Sequence, residues 1–252
     1  MDDILMIRSL LMATALLAAV PAYAQSGADA ARDPKKTEVW TPVPAVVETP
    51  AGKAPSDAIV LFDGKDASAW EAEQGGRVPW TVADGAMTVV PGSKGIRTRQ
   101  RFCDVQVHVE WRTPTETKGF DGQNRGNSGI FLQELYELQV LDSYNNPTYA
   151  NGQAGSIYKQ AMPRVNASRA PGQWQVYDII WKAPRFSQGG GLTSPARITV
   201  LHNGVLVQDD TVLAGKTEYI GAPSYAPHAC APLYLQEHDS KVSYRNIWVR
   251  EL

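Results

Sequence analysis

Residues 136–143, YELQVLDS, set Glu137, Gln139 and Asp142 into an apolar run that otherwise reads as a buried strand. A strand packed on both faces has no use for such groups, because burying an unpaired charge is costly. A strand with one face on a cleft does. Side chains alternate along an extended chain, so Glu137 and Gln139 point one way and Asp142 the other. One β-bulge between Gln139 and Asp142 brings all three onto one cleft wall; the alternative is that Asp142 ends the strand ahead of the turn in SYNNP. Two carboxylates on a cleft can divide acid and base work when their surroundings separate their pKa values. The competing reading is a solvated pair on an outer strand face.

Other groups of the right kind are Arg125, Asn127 and Gln236. His238 shares a strand face with Gln236 and is flanked by Glu237 and Asp239. A histidine there suits proton transfer or metal ligation, or serves as a structural histidine at a strand end. His108 reads as polar sheet face, His202 adjoins a hairpin turn and His228 lies in a Pro-containing loop. No His-x-x-x-His or Cys-x-x-Cys pattern marks a zinc site. Tryptophans of a sandwich are mostly core; Trp174, which follows a loop in PGQWQVYD, is the expected cleft aromatic.

These residues need strands to position them. In DVQVHVEWR, Val105, Val107, Val109 and Trp111 share a core face. GIFLQELYELQVL folds into a hairpin near Glu134, with Ile130, Leu132, Tyr136, Leu138 and Val140 inward. Asn203-Gly204, between the apolar runs of ARITVLHNGVLVQ, is the strongest short hairpin signal. With no amphipathic helix of convincing length and no fixed repeat, the expected fold is all-β: an antiparallel two-sheet sandwich of the jelly-roll type. One such domain is expected over 58–252, after a Pro- and Ala-rich arm at 25–57.

The apolar stretch at 10–20 and the Ala22-Tyr23-Ala24 site read as a secretory signal peptide over 1–24, with translation starting at Met6 rather than ahead of Asp2 and Asp3. Export across the inner membrane to the periplasm follows, without a membrane anchor. An oxidising compartment makes Cys103 and Cys230 a candidate disulfide, the alternative being two buried thiols. A net charge of −2 without any basic block excludes the electrostatic footprint of a nucleic-acid binder.

The segments RGNSGIFL, YELQVLDS, GSIYKQ, APGQWQVYDIIWKAPRF, PARITVLHNGVLV and LQEHDSKVSYRNIWVREL, with LFDGKD at the start, resemble the bacterial 3-keto-disaccharide hydrolase family over residues 61–252. That resemblance implies a concanavalin A-like, glucanase-like sandwich and a carbohydrate substrate already oxidised at C3. It also implies removal of the C2 proton, elimination at C1 and hydration of the resulting 2-hydroxy-3-keto-glucal. Under it Glu137 or His238 is the base and Asp142 helps protonate the leaving oxygen. Gln139, Arg125 or a bound divalent cation stabilises the enolate, and Asn127, Lys159, Trp174 and Gln236 hold substrate. The implied cation would sit on Glu137, Asp142 and His238. Related laminarinases carry E-x-D-x-x-E where this chain has Glu137, Gln139 and Asp142, which weighs against a retaining glycosidase acting on unoxidised glucans. That glycosidase and a non-catalytic carbohydrate-binding module remain the alternatives.

Overall fold

The computed structural model describes residues 33–252; the expected signal peptide at 1–24 lies outside them. The chain divides into a unit ending at Val46 and a second unit, Val47–Leu252. In the first, Asp33 caps the short 3-10 turn Pro34–Thr37 by accepting from the Lys35 amide at 3.0 Å. Extended chain follows, with Val39, Trp40, Val43 and Val46 exposed.

The second unit is a sandwich in which every paired strand runs antiparallel. Its larger sheet has eight strands. Seven lie in the order Val205–Val212, Arg197–His202, Gln175–Lys182, Val105–Arg112, Ser243–Glu251, Ala86–Thr88 and Thr81–Ala83. Ile59–Phe62 pairs with Ser243–Glu251 off that path. The second sheet orders Trp70–Ala72, Ile96–Phe102, Ala231–Leu235, Ser128–Leu132 and Tyr136–Val140. A separate ribbon pairs Arg185–Phe186 with Leu192–Ser194.

Alternation produces this. In Val105–Arg112 the three valines and Trp111 are buried while Gln106, His108, Glu110 and Arg112 are half-buried on the other face. Each such burial contributes on the order of 2 kcal/mol. Left-handed Asn203 and Gly204, at φ 53° and 81°, turn the hairpin between Arg197–His202 and Val205–Val212, the backbone that a two-residue turn of this hand requires. Tyrosine hydroxyls buried between the sheets find partners across them. Tyr177 donates to the Gln139 carbonyl at 2.8 Å, and the Tyr244 hydroxyl lies 2.6 Å from Ser128 Oγ. A disulfide joins Cys103 to Cys230, just beyond the paired residues Phe102 and Ala231.

Tyr136–Val140 is an edge strand, whose free backbone groups need other partners. Here the Gln139 amide donates to the Ser156 carbonyl, Gly155 to the Gln139 carbonyl and Tyr158 to the Glu137 carbonyl, at 3.0, 3.1 and 3.2 Å. The Glu137 amide donates to Thr217 Oγ1 at 2.9 Å. Sealing the edge thus brings Tyr158, Lys159 and Thr217 beside Glu137.

Candidate functional site

Pairing between Ser128–Leu132 and Tyr136–Val140 runs without a register shift, from Ser128 opposite Val140 to Leu132 opposite Tyr136. Tyr136, Leu138 and Val140 therefore enter the core, and Glu137 and Gln139 turn outward. There they meet a cavity of about 540 Å³. Glu137 lies opposite Phe131, and Gly129 opposite Gln139. A Cβ on Gly129 would stand 2.7 Å from Glu137 Oε1 and 2.8 Å from the Phe131 ring. Glycine at 129 is what leaves the carboxyl its space.

Glu137 is buried, and no hydrogen bond among the described residues reaches its carboxyl. Desolvation pushes its pKa up to about 8. The amide oxygens of Gln139 and Gln236 are also buried without a partner, although both residues line the cavity. Gln139 Nε2 is engaged, donating to Gln123 Oε1 at 3.0 Å and to the Gly152 carbonyl at 3.3 Å. Asn127 Nδ2 donates to the Gln123 carbonyl at 2.8 Å. Unsatisfied acceptors around a lone carboxyl suit a ligand rich in hydroxyls.

The far wall is aromatic. Lys159, left-handed at φ 58°, lays Nζ 4.1 Å from the centroid of Tyr219 and 5.6 and 5.9 Å from those of Tyr158 and Tyr149. Nζ donates to the Tyr219 carbonyl at 2.6 Å, and the hydroxyls of Tyr149 and Tyr158 are 2.7 Å apart. Burial, then the hydrogen bond with Tyr149, pushes the Tyr158 pKa upward, so its hydroxyl keeps its proton. His238 stands exposed at the cavity wall, past the end of Ala231–Leu235.

The structure brings Glu137, Gln139, Asn127, Lys159, Gln236 and His238 to one cavity. It does not bring Asp142, Arg125 or Trp174. No bulge re-aims Asp142, which follows the strand end. Its Oδ2 forms an ion pair with Arg125 Nε at 2.9 Å, off hydrogen-bond alignment, and its Oδ1 accepts from the Tyr144 amide at 3.1 Å. The Arg125 guanidinium also donates to the Tyr144 carbonyl. A buried carboxylate requires a counter-charge, and the half-buried Arg125 supplies it. Trp174 lies against the guanidinium groups of Arg112 and Arg245, whose carbons stand 4.6 and 4.1 Å from the ring centroid, an arrangement that cation–π attraction favours. Both arginines belong to the eight-stranded sheet.

With Asp142 elsewhere, the expected cation ligands Glu137, Asp142 and His238 do not converge. Among the described residues no group of three His, Cys, Asp or Glu side chains is arranged to hold a metal. The other histidines have structural surroundings. Burial opposes the charge of His108, but Asp178, 2.6 Å from Nδ1, and Glu110 raise its pKa to about 9. Burial, with Arg169 adding to it, takes His202 down to about 3. His228 Nε2 meets the Tyr136 hydroxyl at 2.8 Å.

Phe131, Gln123, Tyr149, Tyr158 and Tyr219 belong to the site and escape the sequence reading. For Phe131 the signal was present: inward Ile130 and Leu132 place it on the cleft face. The tyrosines reach the cavity from segments outside any strand, where period carries no information.

A family model described as 3-keto-alpha-glucoside-1,2-lyase-like domain matches residues 57–250. A crystal structure of a candidate glycosyl hydrolase from Parabacteroides distasonis is 51% identical, with TM-score 0.85, over 87% of this chain and 97% of that one. A second candidate glycosyl hydrolase from that organism, 20% identical with TM-score 0.55 over 78% of this chain and 94% of its own, shares the fold. No curated protein matches the chain.

Proposed function

Since the chain belongs to the family of 3-keto-alpha-glucoside-1,2-lyase-like domains, we propose that its cleft eliminates the C1 substituent of a 3-keto glycoside. A glycoside-processing role is common ground for the family; the keto chemistry is our reading. The observation that carries it is Glu137, the one carboxylate among the described cavity-lining residues, raised to about 8 by burial.

A glycosidase working on an unoxidised sugar uses two carboxyl groups flanking the bond. Asp142 is committed to Arg125, so the cavity offers one. Elimination requires a single base. The C3 ketone acidifies the C2 hydrogen, and Glu137 removes that proton as a base whose pKa lies near working pH. The electron pair passes into a C2–C3 enediolate. When the ketone re-forms, a C1–C2 double bond appears and the C1 oxygen departs, taking a proton. Tyr158 and His238 are the donors at hand for that proton, and the Lys159 ammonium is the positive group suited to an enolate oxygen. Addition of water across the new double bond returns a free 3-keto sugar, so elimination plus hydration equals hydrolysis. The orphan oxygens of Gln139 and Gln236 would accept from sugar hydroxyls, and Phe131 and Tyr219 offer ring faces.

We also place the protein outside the cytoplasm, in the periplasm. The Cys103–Cys230 disulfide supports this, and no helix among the described residues is long and apolar enough to cross a membrane.

The test is proton NMR in heavy water with a 3-keto glucoside and the matching unoxidised glucoside. The expected result is deuterium at C2 and release of the C1 substituent from the keto sugar alone. Cleavage of the unoxidised sugar without C2 exchange would overturn the reading in favour of a glycosidase.

A further inference from the structure

A second cavity, of about 240 Å³, adjoins the first. Asn124 lines both, and the walls are continuous in sequence: Asn127 and His238 face the larger cavity, Gly126 and Asp239 the smaller. The divide between them is fixed. The turn Gly122–Asn124 is clamped by Asn146, whose Oδ1 accepts from the Gly122 amide at 2.8 Å while its Nδ2 donates to the Gly122 carbonyl at 2.9 Å. Gln123 is tied down by donating to Thr148 Oγ1 and the Gly152 carbonyl at 3.0 and 2.9 Å.

The two cavities differ in chemistry. Amides, tyrosines and a carboxyl line the first. The second has an apolar wall of Pro91, Pro114 and the ring of Phe120, which is 49% exposed and stacks on no other ring among the described residues, and a polar rim that includes Glu116 and Ser240. Lys241 and Asp239 reach it too, and neither side chain has a partner among the described residues.

We propose that the smaller cavity holds the group leaving from C1, and that it selects aryl glycosides. This rests on the elimination reading, in which the sugar ring occupies the larger cavity with C2 at Glu137. A flat apolar group leaving past Asn124 packs on Phe120 between the two prolines, as aromatic faces favour. Its phenolic oxygen needs little acid assistance to leave. A phenol, like a tyrosine side chain, has a pKa of about 10, whereas an alkanol resembles water at about 15.7. The C1–O electron pair leaves with the phenolate, which takes its proton from His238 or from water beside the Lys241 ammonium, so Glu116 and Asp239 need not act as acids.

Calorimetric binding of phenyl and methyl glucosides, both anomers of each, to the full chain and to Phe120→Ala tests the cavity without turnover. The wild type should bind the better phenyl anomer about tenfold more tightly than its methyl counterpart, and Phe120→Ala should erase that advantage. Phe120→Tyr should keep it. Equal affinity for phenyl and methyl glucosides, or an advantage untouched by Phe120→Ala, overturns the proposal. Cleavage of the 3-keto forms, followed in parallel, separates the two readings. A phenyl advantage without cleavage leaves the cavity standing and removes the lyase, while cleavage without the advantage does the reverse.

Discussion

Glu137 sets how the cleft responds to pH, and its two consequences run in opposite directions. As the C2 base it must be ionised, so kcat/KM should rise about tenfold per pH unit below its pKa of about 8 and level off above it. A profile falling with pH would make Glu137 an acid. Stability moves the other way. The unfolded chain gives up this proton near 4.5 and the folded chain near 8. The folded state therefore binds more protons across that window, and stability is full below about pH 4.5 and declines as pH rises to about 8. Glu137→Gln should abolish cleavage yet be the more stable protein at pH 8, on the order of a few kcal/mol by denaturant titration. The two proteins should match near pH 4. An equal difference at both pH values would mean that burial does not hold the proton. Asp142 presents the opposite case. Asp142→Asn leaves the half-buried Arg125 without its counter-charge and should cost about 1–3 kcal/mol, while the fraction still folded keeps its kcat. A loss of kcat without loss of stability would restore Asp142 to the chemistry. Glu137 and Gln139 are legible in sequence because alternation states which face they share. Asp142 is not, because its orientation is decided by Arg125, on a separate loop that no strand period connects to it.

At the scale of elements, the site is a hairpin face plus the segments that seal its edge. Gly129 sits close beneath the Glu137 carboxyl and the Phe131 ring, and a methyl group there would contact both inside 3 Å. Gly129→Ala should displace the carboxyl and lower kcat about 10- to 100-fold, the scale on which small misplacements act. Its stability cost should shrink in a Glu137→Ala background, where the space is open; a cost unchanged in that background would point to a clash with Phe131 alone. The hairpin was readable because inward Ile130, Leu132, Tyr136, Leu138 and Val140 allow one register. The tyrosine wall was not, since Tyr149, Tyr158 and Tyr219 come from segments placed by hydrogen bonds to an edge strand whose edge position depends on the whole sheet order. Trp174 failed for a related reason. It follows a loop, as a cleft aromatic should, but Arg112 and Arg245 capture it on the other sheet. Trp174→Phe should leave turnover within about twofold of wild type, because Trp174 does not line the cavity and phenylalanine keeps a ring against the two arginines.

At the scale of the molecule, one covalent link encloses most of the site. Cys103 and Cys230 are 127 positions apart, and the loop they close carries Gln123, Asn127, Glu137, Gln139, Lys159 and Tyr219. Gln236 and His238 fall just outside it, on the chain leaving the strand that the disulfide precedes. In the folded state the link adds little positional information, since Phe102 and Ala231 are already paired in the sheet. Its effect belongs to the unfolded chain, where closing a loop of this length removes entropy worth on the order of 4 to 5 kcal/mol, with measured losses of roughly 2–5 kcal/mol when such bonds are removed. A Cys103→Ser, Cys230→Ser double variant should therefore lose roughly 2–5 kcal/mol in denaturant titrations. Its KM and kcat at 25 °C should stay close to those of the parent, because the sheet still holds both strands that carry the cleft. Parent protein under strong reductant should behave as the variant does. Were reduction instead to abolish turnover while leaving stability intact, the disulfide would be shaping the cleft directly, and the pairing of Phe102 with Ala231 would not be enough to hold Gln236 and His238 in place.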